Sequence, residues 1–157
     1  MFVLLSIFIL GSVAFFIAFI YPVGKLFTAS TDLSGESIGE FSLNEELDAH
    51  HIEQLADFEK RDEDNGISYR HNDFFIRTNE ENEITSISMG ESYSTSSGLS
   101  IGDSRNDVEE IYGEDYYTYS EMGLGDAMVY IDRENNIEFT IWTHEEHIRY
   151  IWLASSD

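Results

Sequence analysis

Apolar and polar residues follow three patterns along this chain. From Phe2 to Ile20 nineteen consecutive residues carry no charge, enough to cross a hydrocarbon core of about 30 Å as a helix. Tyr21 and Pro22 close that segment. Helical spacing follows, with Leu47, His51, Leu55 and Phe58 on one face, and Ser42-Leu43-Asn44-Glu45 has capping-box spacing, so a helix is expected from Ser42 to about Lys60. Asp62 to Gly66 is polar and ends in Asn-Gly, which stops it. Strand-like runs come next, from Ile67 to Arg70, Asp73 to Thr78 and Glu83 to Met89. A Ser/Thr-rich stretch from Ser92 to Gly98 reads as a linker, and the plan then repeats. Ser104 to Asp107 has capping-box spacing, Val108, Ile111 and Tyr112 lie on one helix face, and Gly113 can end the helix at positive φ. Strands are expected at Tyr116 to Tyr119, Ala127 to Asp132, Ile137 to Thr143 and His147 to Leu153.

The repetition extends to individual residues. Ile38-Gly39-Glu40-Phe41-Ser42 is answered 63 positions later by Ile101-Gly102-Asp103-Ser104, and Asp73 to Met89 is answered 64 positions later by Ile137 to Leu153. The second match pairs Phe75 with Phe139, Ile84 with Ile148 and Ile87 with Ile151. A unit of this size present twice reads as a pair of α+β modules rather than a solenoid. The expected architecture is a membrane segment (1–22), a tether (23–37), a first helix-plus-antiparallel-sheet module (38–91), a linker (92–100) and a second module (101–157).

Composition narrows the function. The chain has 157 residues, with 31 Asp plus Glu against 8 Lys plus Arg and a formal charge of -23. Such a field repels phosphate backbones and anionic headgroups, so nucleic acid is not an expected partner. No cysteine is present, which removes disulfides, thiolate catalysis, Cys-ligated zinc and a lipidated cysteine anchor. For the apolar segment, an uncleaved anchor and a signal peptide cut near Thr28-Ala29-Ser30 both remain open. An anchor is favoured because nothing charged precedes Phe2 except the terminal amine. Lys25 taken literally would place the folded part in the cytoplasm. The Ser/Thr/Gly-rich acidic stretch from Thr28 to Gly39 reads instead as a tether after an export signal, so an extracytoplasmic domain is expected.

Ile101-Gly102-Asp103-Ser104, followed by Val108 and Gly113, resembles the opening of the modules found in beta-lactamase inhibitory protein and in the small lipoprotein of the outer-membrane assembly machinery. It is also similar to short exported domains of Gram-positive bacteria. The resemblance covers 38–153 in plan, although the motif itself is about a dozen residues. The proline that often follows the closing glycine is replaced here by Glu114 and Asp115, and the first copy carries Phe41 as an extra residue before its serine. What the resemblance implies is helices against an antiparallel sheet that presents a face to another protein.

Catalytic and metal patterns are weaker. Gly98-Leu99-Ser100-Ile101-Gly102 fits a nucleophile elbow, but the polar stretch before it is not a core strand, and a tight entry to a capped helix explains the same letters. A small hydrolase using Ser100, with His144 or His147 as base, is therefore the alternative, and an acidic domain sensing cations or solutes is a third reading. A calcium loop fails in register, because aligning Gly66 puts Arg61 at the first ligand position. His144-Glu145-Glu146-His147 lacks the H-E-x-x-H spacing and falls in an expected turn. His50 and His51 point about 100° apart on a helix. No metal or cofactor is implied.

Aromatic residues are the best binding candidates. Alternation puts Ile137, Phe139 and Ile141 on one face of a strand and Glu138, Thr140 and Trp142 on the other, so Trp142 is expected outside the core. Ile148, Tyr150 and Trp152 are expected to share a side. Trp142, Trp152, Tyr150, Tyr116 and Tyr117 are the candidate contact residues, since Tyr and Trp bury large area at little entropic cost. The expected function is a non-catalytic, membrane-anchored module that binds another envelope protein as inhibitor or assembly accessory, with the acidic surface favouring a basic partner.

Overall fold

The computed structural model describes residues 23–156. The apolar segment 2–20 lies outside the described residues, among which no helix is long and apolar enough to cross a membrane. The fold is α+β. Helices α1 (Val23–Phe27), α2 (Ala49–Gln54) and α3 (Arg105–Tyr112) are short. Strands β1 (Ser37–Ile38) and β2 (Phe41–Ser42) form a small hairpin. The remaining strands are β3 (Glu59–Glu63), β4 (Gly66–His71), β5 (Phe74–Thr78), β6 (Ile84–Met89), β7 (Tyr117–Glu121), β8 (Gly125–Asp132), β9 (Ile137–His144) and β10 (His147–Ser155). They make one eight-stranded antiparallel sheet in the order β3-β4-β5-β6-β10-β9-β8-β7.

Two four-stranded meanders therefore meet along their last strands. In that junction Ile87 faces Leu153, Ser88 faces Trp152 and Met89 faces Ile151. Residues 64 apart exchange roles across it: Ile87 and Ile151 are equivalents, as are Met89 and Leu153, and Ser88 faces its own equivalent, Trp152. The register is what a local two-fold axis through the Ser88–Trp152 pair requires.

The two halves repeat each other in finer detail. Thr78 donates its hydroxyl to the Ile67 carbonyl at 3.3 Å, and Thr143 donates to the Asp126 carbonyl at 3.2 Å. A Cβ on Gly66 would lie 2.0 Å from the Thr78 carbonyl oxygen, and one on Gly125 would lie 2.3 Å from that of Thr143. Only glycine permits this approach, and both positions also have positive φ. A β-bulge recurs too. Pairing skips Thr85 between Ile84 and Ser86, and skips Arg149 between Ile148 and Tyr150. The bulge reverses strand phase, so Ile148 joins Ile151 and Leu153 in the core while Tyr150 and Trp152 take the other side. This corrects the expectation that Ile148 shares a side with those two rings.

The long first helix is not formed. Ser42 belongs to β2, Asn44 has φ 62°, its N–H donates to the Ile84 carbonyl at 2.8 Å, and the Ile84 N–H returns a bond to Glu45. Backbone pairing with β6 thus overrides the capping-box letters. Gly102 and Asp103 make the same pair of bonds with Ile148, and Gly102 also has positive φ. Leu43-Asn44-Glu45 is therefore the counterpart of Ile101-Gly102-Asp103, in place of the Ile38-Gly39 match read from sequence. Helix α2 starts later, at the N-cap Asp48, whose carboxylate accepts from the His51 N–H at 2.9 Å. His51 of α2 and the flanking Leu47 and Leu55 are buried together. The Asp62–Gly66 run does not stop a helix; it lies in the β3–β4 hairpin, with Asp64 and Asn65 at the turn. The strand match also shifts by one residue: Phe74, opposite His71, is the phenylalanine of β5 that is buried with Ile76 and Thr78, and Phe75 faces the other way.

The main core lies on one side of the sheet. Val108 and Tyr112 of α3, Leu55 beside α2, and Leu33, Ile38, Phe41 and Leu99 from the connecting segments cover Ile76, Ile87, Tyr130, Phe139, Ile151 and Leu153. The 92–100 segment packs here, with Thr95 and Leu99 buried and Ile38 bridged to Thr95. Residues 28–38 run along the fold as a strap. Thr31 N–H donates to the Ile131 carbonyl at 2.8 Å. Buried Glu36 accepts from the Ser96 and Ser97 hydroxyls at 2.8 and 2.7 Å and from the Tyr112 hydroxyl at 2.7 Å.

Asp132 holds the strap's other end. Its carboxylate accepts from the N–H groups of Leu33, Glu134 and Asn135 and from the Asn135 side chain, at 2.8 to 3.1 Å. Burial alone would push this carboxyl up, but those bonds outweigh it and hold it below the ordinary carboxylate range. A folded-state pKa below the unfolded one adds stability above the unfolded value, and that stability is lost as pH falls through the folded value. Asp132→Ala should cost about 1–3 kcal/mol at neutral pH. In denaturant melts across pH, the gap to the parent chain should narrow below about pH 4.

Candidate aromatic binding face

The other side of the sheet carries neither helix α2 nor α3. Alternation sends Ala127 and Val129 of β8, Thr140 and Trp142 of β9, and Tyr150 and Trp152 of β10 to this face, opposite Met128, Tyr130, Phe139 and Ile141. Cross-strand pairing of Tyr119 with Ala127 and of Tyr117 with Val129 adds two rings from β7. A small second apolar cluster forms around Ala127, Val129 and Trp142, with Tyr117 and Tyr150 against it.

Trp142 sits at the middle of this cluster. The Tyr150 ring lies 5.4 Å from it, the Trp152 ring stacks at 6.3 Å and 18°, and the Tyr119 ring stands perpendicular at 6.5 Å. Tyr117 continues the row at 6.4 Å from Tyr119. Trp142 is off the helix-covered core, as its alternation predicts, yet it is only 2% exposed because these rings roof it. Among the described residues its indole N–H has no hydrogen-bond partner. A buried donor without an acceptor costs about 1–3 kcal/mol. Trp152, by contrast, is 41% exposed. Burial pushes the Tyr117 hydroxyl well above its ordinary pKa, with Glu138 and Tyr119 adding to the shift. Tyr119 moves the same way, from burial first and then Glu121 and Glu138. Both phenols are thus neutral donors at physiological pH.

Tyr116 does not join the other four candidates. It lies on the helix side, where its hydroxyl accepts from Arg105 at 2.8 Å and donates to Glu109 at 2.6 Å, and its ring packs 5.3 Å from Tyr130. Its role is to tie α3 to the start of β7.

Sequence reasoning overlooked the basic half of the face. Arg61 and Arg77 both stand opposite Ser68, and Arg70 stands opposite Phe75, which faces Ser88 beside Trp152. Cross-strand partners share a side, so Arg61, Arg70, Arg77 and Phe75 belong to the open face, together with Glu59 opposite Arg70 and Glu63, which accepts from the Ser68 hydroxyl. Among the described residues no ion pair involves Arg70 or Arg77, although the chain is rich in carboxylates. Arg61 reaches Glu63 at 4.0 Å. Alternation along Phe74 to Thr78 was the signal available: it puts Phe75 and Arg77 on one side. A depression between Arg77, Asn79, Ser86 and Trp152 lies on this half, and a second lies by His144, Arg149 and Tyr150.

Ser100 takes part in helix entry. Its N–H donates to Asp103 at 2.7 Å and its hydroxyl pairs with Ser94 at 2.8 Å, while a His147 ring nitrogen lies 3.0 Å from the Gly102 carbonyl. Among the described residues no hydrogen bond joins Ser100 to a histidine, and no group of three or more His, Asp or Glu is placed to hold a metal ion. Comparison with protein families, curated proteins and solved structures found no match to this chain.

The roof and the floor of the cluster should respond differently to truncation. Trp142→Ala should cost about 3–5 kcal/mol, the range for a buried large ring. Trp142→Phe should cost well below that, since its N–H has no bond to lose, and Trp152→Ala should cost less than Trp142→Ala. Denaturant melts of the three variants check this order.

Proposed function

We propose that this chain is a membrane-anchored, non-catalytic binding module, held outside the cytoplasm by residues 2–20, that engages another envelope protein through the open sheet face. In this reading two helix-plus-sheet modules have merged along β6 and β10 into one platform. The observation that carries it is the ring cluster over Trp142 beside Arg70 and Arg77, neither of which is in an ion pair among the described residues. Exposed Trp and Tyr around a desolvated centre, together with Arg, are the residue types that concentrate binding energy at interfaces. The resemblance to modules that present a sheet to a partner supports the same reading.

The face also suggests what the partner brings. Net charge alone favours a basic partner, but the contact surface itself offers guanidinium groups, so the docking segment should be apolar with an acidic flank. A partner carbonyl that displaced the roof could satisfy the Trp142 N–H. Strand addition at the edge is disfavoured at β3, where Glu59, Lys60, Arg61, Asp62 and Glu63 form an all-charged edge strand.

Site-specific photocrosslinking in native membranes tests this. A benzophenone side chain at position 119 or 152 should yield the same single protein adduct, and one at Ile111 on the exposed side of α3 should yield none. Arg70→Glu with Arg77→Glu should abolish the adduct. Equal adducts from positions 111 and 152, or none at any position, would contradict the proposal.

A further inference from the structure

Helix α1 exposes two neighbouring apolar side chains. Leu26 and Phe27 are adjacent, large and apolar, and are 66% and 83% exposed. The helix is nevertheless fixed. A Cβ on Gly24 would fall 2.7 Å from the Tyr117 Cβ, so the helix backbone lies directly on the β7 side chain. Lys25 pairs with Glu138 at 2.8 Å, and the Arg133 guanidinium donates to the Lys25 carbonyl at 2.6 Å. Thr28 closes the helix by donating its N–H and hydroxyl to the Gly24 carbonyl. Beyond it the Ser30 hydroxyl accepts from the Arg133 N–H at 3.0 Å, and the strap begins. No slack chain remains between α1 and the sheet.

We infer that α1 is a foot resting on the lipid surface, with Leu26 and Phe27 set into the headgroup layer, so that the domain stands directly on the bilayer. The inference rests on the reading of residues 2–20 as a membrane-spanning anchor. Ile20 and Val23 are three residue steps apart, no more than about 11 Å even when fully extended. The headgroup region on each side of the hydrocarbon is roughly 5–8 Å thick. Val23 therefore cannot leave the neighbourhood of the headgroups, and the two apolar side chains three and four residues on are carried there by a helix that cannot swing free.

Lipid fits this patch better than protein. Two adjacent side chains fall far short of the roughly 800 Å² per partner of a stable protein interface, whereas a Leu/Phe pair with Arg133 beside it is what an interfacial segment presents. The chain's negative field repels anionic headgroups, so the contact relies on apolar insertion and suits a zwitterionic surface. The open face then stands close to the membrane, and its protein partner must approach at that level.

The absence of cysteine allows a clean test, because Phe27→Cys, Ile20→Cys and Asn65→Cys each give a full-length chain with one labelling site. Asn65 lies in the turn of the far sheet edge, seven strand spacings or about 33 Å from β7. Each variant carries an environment-sensitive nitrobenzoxadiazole dye in phosphatidylcholine vesicles, with doxyl-labelled phosphatidylcholine as the lipid quencher and iodide as the aqueous one. The expected result is that the dye at position 27 loses most of its emission to a shallow doxyl label and less to a deep one. The dye at position 20 is quenched by lipid as well, and the dye at position 65 responds to iodide alone. If position 20 is quenched by lipid while position 27 behaves like position 65, the foot is overturned and the anchor survives. If position 20 also answers only to iodide, the anchor reading fails and takes the foot with it.

Discussion

The pairing of β6 with β10 is the interaction on which the rest of this structure depends. Each half alone is a four-stranded meander with a short helix, and its last strand would be an open edge rich in Ile. Joining those edges removes both at once and places Ile87, Met89, Ile151 and Leu153 at the centre of a single core. Register admits no slip, since moving one strand by one residue would send these side chains to the aromatic face and bring Ser88 and Trp152 into the core. The Thr85 and Arg149 bulges act in the same direction. They reverse the strand phase so that the Ile residues on both sides of each bulge point inward.

That constraint also creates the working surface. One side of an eight-stranded sheet is covered by α2, α3, the β1–β2 hairpin and the 92–100 segment, all of which enter from the same side. Among the described residues only the short α1 lies on the other side, at its β7 end. What is left open is not generic surface. Tyr117, Tyr119, Tyr150 and Trp152 surround a Trp142 whose indole N–H is buried without a partner among the described residues, and arginines stand at the far end of the same face in a chain otherwise dominated by carboxylates. Side chains arranged only for stability would give that indole an acceptor.

Much of this was legible from sequence, and the errors have physical causes. The α+β class, the capped helix from Ser104, the second-half strands and the facing of Phe139, Ile141 and Trp142 follow from periodicity and capping. The repeat was visible, but its true offset changes along the chain, because the β5–β6 loop is one residue longer than the β9–β10 turn and the first helix starts two residues later after its entry loop. A fixed offset therefore paired Phe75 with Phe139, where the buried counterpart is Phe74. The long first helix failed because Asn44 and Glu45 bond to Ile84, a tertiary contact that local propensity does not encode. The grouping of Ile148 with Tyr150 and Trp152 failed because a bulge breaks the alternation that sequence reasoning assumes. Tyr116 was misplaced because neighbouring tyrosines at the start of a strand alternate sides, and only the Arg105 and Glu109 contacts show which one turns inward.

Hydrogen exchange on the full-length chain in phosphatidylcholine nanodiscs tests most directly whether the two halves form one platform. The account predicts that the amides shared between β6 and β10 exchange slowest of all, and that slow exchange in β4 and β5 is lost in the same global opening as in β8 and β9. If the β3–β6 half instead exchanges in an opening of its own while β7–β10 stays protected, the halves are separate units and the single platform is contradicted.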